Sequence, residues 1–509
     1  MAGGQPMSDE FFMYLALGVY FAGMLLLGFA AFRRTEDHED YMLGGRNLPS
    51  WVAAISAGAA DMSGWLIMGL PGAIYATGLI ESWIAIGLTI GQSCNWLFIA
   101  PRLRAYTEVA GNSITVPSFF ENRLKDSSHV LRFTASVVIL VFFTLYVSSG
   151  MVAAGVFFES SFGLDATAGM LIVVAVTLAY TMFGGFLGVS LTDVAQGIMM
   201  CVALVVMPLV GIAAIGGFGE TVTTVESVAA SNLSFFGTGF AKAATQVTII
   251  SGLAWGLGYV GQPHIVVRFM ALRSPGEATR ARRIGMSWMV ISLSGAVISG
   301  LVGIAYFAKN GIELDNPETV VLRMSQILLH PFIAGLVLAS VLAAIMSTFS
   351  SQLIVTSSAL VEDVYRAITK KQVSQHRLVW MGRFAVLLVA LVALYLALGN
   401  NNSILSLVGF AWAGFGAAFG PVTVLSLYWR KLTRWGAFAG MVAGAVSVFV
   451  WDWLDRITGD VWLFDIYELA PAFLISLLVA ALVSLATYRH DSTIEEDFTR
   501  SLDYVKNSR

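Results

Sequence analysis

Residues 57–65, which read Ala-Gly-Ala-Ala-Asp-Met-Ser-Gly-Trp, decide the fold because glycines and an acid interrupt an apolar segment there. Asp61 follows Ser50, where this segment is expected to start, by eleven residues. By helical rise it lies about 16 Å deep in a membrane core of about 30 Å. A carboxylate at that depth costs several kcal/mol unless a cation or hydrogen-bond donors compensate it. We therefore predict a helix that breaks in mid-membrane around a functional acid; close helix packing is the alternative interpretation of the glycines alone.

A second interruption occurs at residues 252–264, which read Gly-Leu-Ala-Trp-Gly-Leu-Gly-Tyr-Val-Gly-Gln-Pro-His. Trp255 follows the expected outer start of its segment by about ten residues, or roughly 15 Å. This segment is therefore also predicted to break near mid-membrane, where irregular backbone is tolerated if it lines a cavity.

The composition places most of the chain in a membrane. Hydrophobic residues make up 57% of the 509 residues and charged residues 12%, against roughly 25% charged residues in soluble domains. The net charge of -3 gives no sign of a nucleic-acid surface. Cys94 and Cys201 lie far apart in apolar segments, so no disulfide framework or Cys-x-x-Cys pair is available. The first ten residues contain Asp9 and Glu10 but no basic residue, so we expect no cleavable signal peptide.

Thirteen segments are long and apolar enough to cross the bilayer as helices. The predicted spans are 11–32, 50–76, 80–101, 131–158, 166–184, 193–216, 245–265, 284–308, 331–362, 378–398, 403–429, 435–455 and 466–487. No connection exceeds about 30 residues, so no separate soluble domain fits between them. The sequence thus predicts an all-α polytopic membrane protein with 13 transmembrane helices.

Basic residues are distributed unevenly between alternate connections. Of the 29 Lys and Arg residues, all but Lys242, Lys309, Arg323 and Arg456 lie on one side. Lys and Arg are retained on the cytoplasmic side during insertion. We therefore expect the N-terminus outside and the C-terminus in the cytoplasm of a cell-membrane protein, which requires an odd number of spans.

The two interrupted spans begin five crossings apart, so they enter the membrane from opposite faces. This relation predicts two inverted five-helix repeats, at 50–216 and 245–429. Residues 1–49 precede them, the outer loop 217–244 separates them, and two further helices at 430–488 and a cytoplasmic tail at 489–509 follow. Inverted repeats with broken first helices form a substrate site at their interface, where freed N–H groups face anions and freed carbonyls face cations.

The ninth span supplies oxygen atoms for a cation. Ser347 and Thr348 follow Ala344 by three and four residues, which places both hydroxyls near one backbone carbonyl. Together with the carbonyls of Ala344, Ala59 and Met62 they can surround one bare cation, and sodium prefers such hard oxygen ligands. The alternative is that these hydroxyls only bond back to the preceding helical turn.

These segments resemble the sodium:solute symporter family, and within it the members that transport proline. The resemblance extends over nearly all of residues 11–490, with motifs at 43–46, 56–73, 81–87, 184–193, 255–264, 268–271, 342–352 and 411–421. It implies a leucine-transporter-like fold, in agreement with the inverted repeats. The outer loops 217–244 and 309–330 and the tail depart from the family's proline carriers.

The resemblance also implies roles for individual residues. The implied sodium ligands are the carbonyls of Ala59, Met62 and Ala344 and the hydroxyls of Ser347 and Thr348, with Asp61 needed for sodium dependence. The implied proline pocket consists of Ser63, Gly64, Trp65, Tyr146, Trp255, Tyr259 and Pro263. Aromatic faces can hold the cationic amine of proline with about 0.5 to 2 kcal/mol, although membrane aromatics more often form interfacial belts or packing. Arg46 and Asp193 match family positions at the cytoplasmic end, where gating and structural pairing both stay open.

The expected function is sodium-coupled uptake of L-proline by alternating access, by a monomer with no cofactor and no nucleic-acid partner. Another small organic solute of the same family, such as a vitamin, sugar or carboxylate, is the alternative substrate. We do not expect an enzyme, because the six histidines are scattered and no paired catalytic acids or nucleophile elbow is present. The spacing Gly256-x-Gly-x-x-Gly261 matches a dinucleotide fingerprint only formally, since it lies in an apolar span without a preceding strand.

Overall fold

The computed structural model describes residues 9–32, 43–365, 374–398, 403–459 and 461–508. Within these ranges the chain is almost entirely helical, and an isolated β-bridge joins Leu48 to Leu272. Some of the basic residues used to predict the orientation lie outside the described ranges, namely Arg33, Arg34, Arg366, Lys370, Lys371 and Arg509.

The α-helices of the described ranges are numbered in chain order. They are α1 (Asp9–Phe32), α2 (Ser50–Asp61), α3 (Leu70–Thr77), α4 (Ser82–Cys94), α5 (Ala100–Val109), α6 (Val116–Arg123), α7 (Val130–Phe162), α8 (Ala166–Ile215), α9 (Phe218–Val228), α10 (Ala243–Ala254), α11 (Pro263–Met270), α12 (Ala278–Asn310), α13 (Val320–Leu328), α14 (Pro331–Ser358), α15 (Gln375–Ala397), α16 (Ile404–Tyr428), α17 (Arg434–Thr458), α18 (Leu469–Thr487) and α19 (Ser492–Asn507). Wider π-helical turns occupy Trp65–Gly69, Asn95–Ile99 and Ala359–Tyr365, and a 3-10 segment occupies Trp255–Gly261.

Many of these helices are suited to a membrane. In the described part of the chain, ten helical segments are long and apolar enough to cross a bilayer, or eleven if the bent pair Ser50–Asp61 and Trp65–Thr77 is one span. The chain is therefore a multi-pass membrane protein. Helix α8 enters this count once although it has 50 residues, and a straight helix of that length would measure about 75 Å.

Both predicted helix breaks are present. Helix α2 ends at Asp61, Met62 leaves helical geometry at φ -86° and ψ 82°, and the next helical segment is bent by 64°. Helix α10 ends at Ala254 and gives way to the 3-10 segment, after which Gln262 is extended at φ -81° and ψ 107°. The small and polar residues in these stretches permit the irregular backbone, because they bring few bulky side chains that would favour continued helix.

Helix α8 contains a sharp kink where the sequence predicted a connection. Gly185 has φ 57° and ψ -159°, a backbone region that is essentially restricted to glycine. The predicted spans 166–184 and 193–216 lie on either side of it, but the predicted connection 185–192 is helical apart from Gly185. One glycine can therefore redirect the chain here without a loop.

We expect Gly185→Ala to lower stability by about 1–3 kcal/mol, because alanine is strained at this φ and ψ. The thermal unfolding midpoint of the purified protein in detergent should fall by a few degrees. The matched control is Gly18→Ala in α1, where an added Cβ meets no heavy atom within 4 Å. Equal midpoints for the two variants would contradict the account of the kink.

Short helices cover the connections on both sides of the bundle. Helices α6 and α19 lie in the predicted basic-side regions, and α9 and α13 lie in the predicted outer loops. The tail helix α19 docks through Asp497, whose carboxylate is 2.5 Å from Lys125 Nζ, and through Phe498, whose ring centroid is 5.9 Å from that of Tyr106. The tail predicted at 489–509 therefore includes a helix that packs against the bundle.

Candidate functional site

The Ser347 hydroxyl joins α14 to the broken end of α2. Ser347 Oγ lies 2.7 Å from the carbonyl oxygen of Ala59 and 3.1 Å from that of Ala344. In an unbroken helix the Ala59 carbonyl would accept from the N–H of Ser63, but that N–H donates to the Asp61 carbonyl instead. The break thus frees the Ala59 carbonyl for α14, and three of the five predicted sodium ligands meet at one point.

The other two predicted ligands are buried beside this contact. Thr348 is 2% exposed, and its Oγ1 has no hydrogen-bond partner among the described residues. Met62 is fully buried at the break itself, and within the described ranges no hydrogen bond joins its carbonyl to either hydroxyl. A buried hydroxyl without a partner costs about 1–3 kcal/mol, and a cation would remove that cost by taking the oxygen as a ligand.

Asp61 connects the two helix breaks to each other. Its side chain is buried, and its Oδ2 accepts a hydrogen bond of 2.5 Å from the Tyr259 hydroxyl on the 3-10 segment. Its Oδ1 has no hydrogen-bond partner in the described part of the chain. Since a buried carboxylate needs compensation, the open Oδ1 is suited to a cation or to a cationic substrate group.

Aromatic rings from both breaks meet next to Asp61. The centroids of the Trp65 and Trp255 rings are 6.3 Å apart, and Tyr467 stacks on Trp255 at 5.1 Å. The ring of Trp412 is perpendicular to that of Tyr259, with the ring centroids 5.1 Å apart. The Nε1 of Trp412 also donates a hydrogen bond to the Trp255 carbonyl over 2.9 Å. Sequence reasoning missed Trp412 and Tyr467. Trp412 lies in the quoted motif 411–421, whereas nothing in the sequence pointed to Tyr467.

The remaining predicted pocket residues are distributed around the same region. Tyr146 faces Ser63 and Asp61, and its side chain is buried. Gly64 allows the broken segment after α2 to pack closely against α7 and α14. A Cβ added at Gly64 would lie 3.1 Å from Ala153 Cβ and 3.2 Å from an Ile345 side-chain carbon.

Pro263 differs from the other predicted pocket residues in its surroundings. It starts α11 and lines a small cavity together with Ile139, Val267 and Val355. The structure thus brings Ser63, Trp65, Tyr146, Trp255 and Tyr259 towards Asp61, and it describes no direct contact between Pro263 and that acid.

A buried ion pair ties four helices together. Arg268 of α11 donates to Asp193 Oδ2 of α8 over 2.9 Å, and both side chains are fully buried. Ser56 of α2 donates to the same carboxylate oxygen over 2.7 Å, and Arg268 donates to Ser351 Oγ of α14 over 2.6 Å. The structure therefore describes structural pairing for Asp193. Sequence reasoning did not assign a role to Arg268, although that residue opens one of the quoted motifs.

Arg46, the other cytoplasmic-end residue predicted from the resemblance, binds backbone oxygens. Its guanidinium donates to the carbonyl of Met270 over 3.0 Å and to that of Ser113 over 2.5 Å. These bonds hold the end of α11 against the connection that precedes α6.

Comparison with known families identifies the family of this chain. The sequence model of the sodium:solute symporter family matches residues 41–444. The chain belongs to the sodium:solute symporter family. Named relatives cover almost its whole length. The high-affinity proline transporter PutP of Bacillus subtilis (strain 168) is 53% identical over 476 residues, covering 93% of this chain and 98% of that protein.

Two further relatives show similar coverage. The osmoregulated proline transporter OpuE of Bacillus subtilis (strain 168) is 50% identical and covers 93% of this chain and 95% of its own length. A sodium/proline symporter of Staphylococcus aureus is 47% identical, with 97% and 96% of the two chains covered. The family predicted from the sequence is confirmed.

Solved structures of other symporters share the fold. A sodium-coupled sialic acid symporter in a substrate-bound, outward-open state has a TM-score of 0.77 at 20% identity and covers 93% of this chain and 98% of that one. Mhp1, a nucleobase-cation-symport-1 family transporter in a closed conformation, has a TM-score of 0.53 at 15% identity and covers 91% and 98%. At these identities the likeness concerns the fold alone, and it supports the predicted all-helical symporter fold.

Breaking the buried ion pair of this symporter-family protein should be costly. We expect Asp193→Asn to lower stability by about 3–5 kcal/mol, because it leaves the Arg268 guanidinium buried without a counter-charge. The midpoint of thermal unfolding in detergent measures the loss. The matched control is Asp452→Asn, whose partner Arg456 is 70% exposed and whose pair should contribute about 0–1 kcal/mol. Equal midpoints for the two variants would show that the buried pair is dispensable.

Proposed function

We propose that the chain is a symporter that couples the uptake of L-proline to the entry of sodium. The observation that carries the proposal is the Ser347 hydroxyl between the carbonyls of Ala59 and Ala344, where Ala59 lies two residues before Asp61 on α2. The relatives named as proline transporters and sodium/proline symporters support the choice of ion and substrate.

The proposed sodium ligands are the carbonyls of Ala59, Met62 and Ala344 and the hydroxyls of Ser347 and Thr348. Three of these oxygens already meet. A bare sodium ion between them would replace the hydrogen bonds of Ser347 and engage Thr348 Oγ1, for which the described residues offer no hydrogen-bond partner. Asp61 supplies the negative charge that a cation needs in mid-membrane, either by direct contact or through the electrostatic field.

The proposed proline pocket is the space bordered by the aromatic rings. Its predicted lining is Ser63, Gly64, Trp65, Tyr146, Trp255, Tyr259 and Pro263. The ring of proline can pack on the faces of Trp65 and Trp255, and its cationic amine can gain about 0.5 to 2 kcal/mol from such a face. Freed N–H groups of the broken segment after Asp61 are suited to its carboxylate.

We further propose thirteen crossings rather than ten or eleven. The length of α8 and its kink at Gly185 favour two crossings there. The combined length of α10, the 3-10 segment and α11 favours one more, giving inverted repeats at 50–216 and 245–429. The uneven distribution of basic residues supports an outer N-terminus and a cytoplasmic C-terminus in the cell membrane. We also expect the monomer to be the transporting unit.

The proposed cycle begins with external sodium. Sodium binding holds α2 against α14 and preforms the proline pocket, so that coupling is a difference in affinity between conformations. One sodium ion crossing 100 mV provides about 2.3 kcal/mol, and a tenfold gradient provides about 1.4 kcal/mol more. Together these terms support roughly 500-fold accumulation of proline.

Uptake of radiolabelled proline into proteoliposomes tests this function. We expect uptake under an inward sodium gradient, faster uptake with an inside-negative potential, and none when choline replaces sodium. Unlabelled proline should compete, while other amino acids, sugars and carboxylates at the same concentration should not. Uptake of another solute in place of proline, or equal uptake without sodium, would overturn the proposal.

A further inference from the structure

A long apolar groove runs along the surface of the bundle between the third and seventh predicted spans. It encloses a cavity of about 610 Å³. The groove is lined by Gly87, Ile90, Gly91, Cys94, Asn95 and Phe98, with Leu253, Gly256, Leu257 and Val260 opposite and Tyr428 at one end. Ile90 and Phe98 are more than half exposed. In a membrane-spanning chain such side chains face lipid.

Close backbone packing explains why the groove is open. A Cβ added at Gly91 would lie 2.1 Å from the carbonyl oxygen of Gly256, and one added at Gly87 would lie 2.4 Å from that of Gly252. Glycines allow the two segments to approach to this degree. They also provide no side chains that would fill the surface above the contact.

A basic side chain, that of Arg102, lies at one end of the groove. The Arg102 guanidinium lies 3.8 Å from the ring centroid of Tyr428 and donates to the Leu427 carbonyl over 3.0 Å. No carboxylate of the described residues forms an ion pair with it. In the proposed orientation this end faces the cytoplasmic leaflet, where anionic lipids attract basic side chains. By helical rise the groove lining from Gly87 to Ile99 extends about 18 Å, enough for an acyl chain across one leaflet, and Arg102 lies about one turn beyond it.

The groove is also linked to the transport site. Asn95, which lines it, donates to the Tyr259 carbonyl over 3.2 Å, and the Tyr259 hydroxyl donates to Asp61. Gly256, Leu257 and Val260 belong to the 3-10 segment that carries Tyr259. An occupant of the groove would therefore pack against the back of that segment.

We propose that this groove binds an anionic phospholipid of the cytoplasmic leaflet, with one acyl chain along the cavity and the phosphate on Arg102. The guanidinium supplies several donors in a geometry that matches phosphate oxygens, and the groove supplies apolar surface for the chain. The proposal rests on the proposed membrane orientation, but binding of the lipid requires neither sodium nor proline.

Retention of lipid by the full-length purified protein tests the proposal. The protein is exchanged into detergent containing phosphatidylglycerol or phosphatidylcholine, and bound lipid is counted by native mass spectrometry. We expect one retained phosphatidylglycerol and weaker retention of phosphatidylcholine. Arg102→Gln should weaken phosphatidylglycerol retention about fivefold, the effect of one basic residue near an anionic surface.

A second variant tests the groove itself. Leu257→Trp should fill the cavity and reduce retention of both lipids, whereas Leu478→Trp, at a lipid-facing position 60% exposed on α18, should leave retention unchanged. Equal retention of the two lipids by the wild type, or unchanged retention in both groove variants, would overturn the proposal. Thermal stabilisation by inorganic phosphate equal to that by phosphatidylglycerol would also overturn it, since it would indicate a free-anion site. Proline uptake is measured separately, so a failure of the proposed transport function does not affect these outcomes.

Discussion

Replacing Asp61 by asparagine is expected to reduce sodium-driven proline uptake about 100-fold while the protein still inserts and folds. The variant keeps the size of the side chain and an oxygen for the Tyr259 hydroxyl, but it removes the charge that compensates a cation. In the variant the sodium ion lacks a counter-charge, and an uncompensated charge at the centre of a membrane costs about 2.5 to 3.5 kcal/mol, which corresponds to roughly a hundredfold change in affinity. Initial uptake rates over a range of sodium concentrations in proteoliposomes measure the effect.

A second variant separates the charge of Asp61 from its hydrogen bond, and a third serves as the control. Tyr259→Phe removes only the 2.5 Å bond to Oδ2, so it should weaken sodium-dependent uptake about tenfold. Asp452→Asn, at a partly exposed acid paired with Arg456, should have no effect. If Asp61→Asn transports proline with the sodium dependence of the wild type, Asp61 has no part in coupling.

Removing either hydroxyl of α14 is expected to raise the sodium concentration for half-maximal uptake by about 10- to 100-fold. Ser347→Ala removes the oxygen that contacts Ala59 and Ala344. Thr348→Val removes an Oγ1 that has no partner in the described part of the chain, with almost no change in volume. A polar contact to a charged group contributes about 1.5 to 3 kcal/mol, which sets the expected range. Sodium titrations of uptake at saturating proline provide the measurement.

Ser340 provides the matched control for these variants. It lies on α14 two turns before Ser347, and the one partner of its hydroxyl among the described residues is the Val337 carbonyl of the same helix, at 2.6 Å. Ser340→Ala should therefore leave the sodium requirement unchanged. A shift of the same size in Ser340→Ala would indicate a general effect on α14 and contradict the ligand assignment.

The helix breaks could be predicted from the sequence because their cause is local. Glycines and polar residues interrupt an apolar segment near its middle, and Asp61 carries a large cost there without a partner. The offset of Ser347 and Thr348 from Ala344 likewise follows from helical geometry. The structure adds the contact with Ala59, which requires α2 and α14 to be neighbours.

The parts that the sequence did not reveal depend on distant segments. The pairing of Asp193 with Arg268 and their bonds to Ser56 and Ser351 bring together four helices. No pattern within one helix specifies such a network. Tyr467 stacks on Trp255 from just before α18, at the start of the last predicted span, and the hydropathy of that span does not indicate this contact.

Gly185 shows the limit of counting spans by hydropathy. A single glycine in a conformation closed to other residues redirects α8, so a predicted connection of eight residues is almost entirely helical. The loop helices α6, α9, α13 and α19 are short and partly polar, and their stability depends on packing against the bundle rather than on periodicity alone.

Equilibrium binding of radioactive sodium and radioactive proline to the purified protein tests the central claim most directly. If sodium at α2 and α14 preforms the proline pocket, each ligand must raise the affinity for the other by the same factor. We expect that factor to be about tenfold or more, and to fall towards one in Thr348→Val. Proline affinity that is independent of sodium in the wild type would contradict the account.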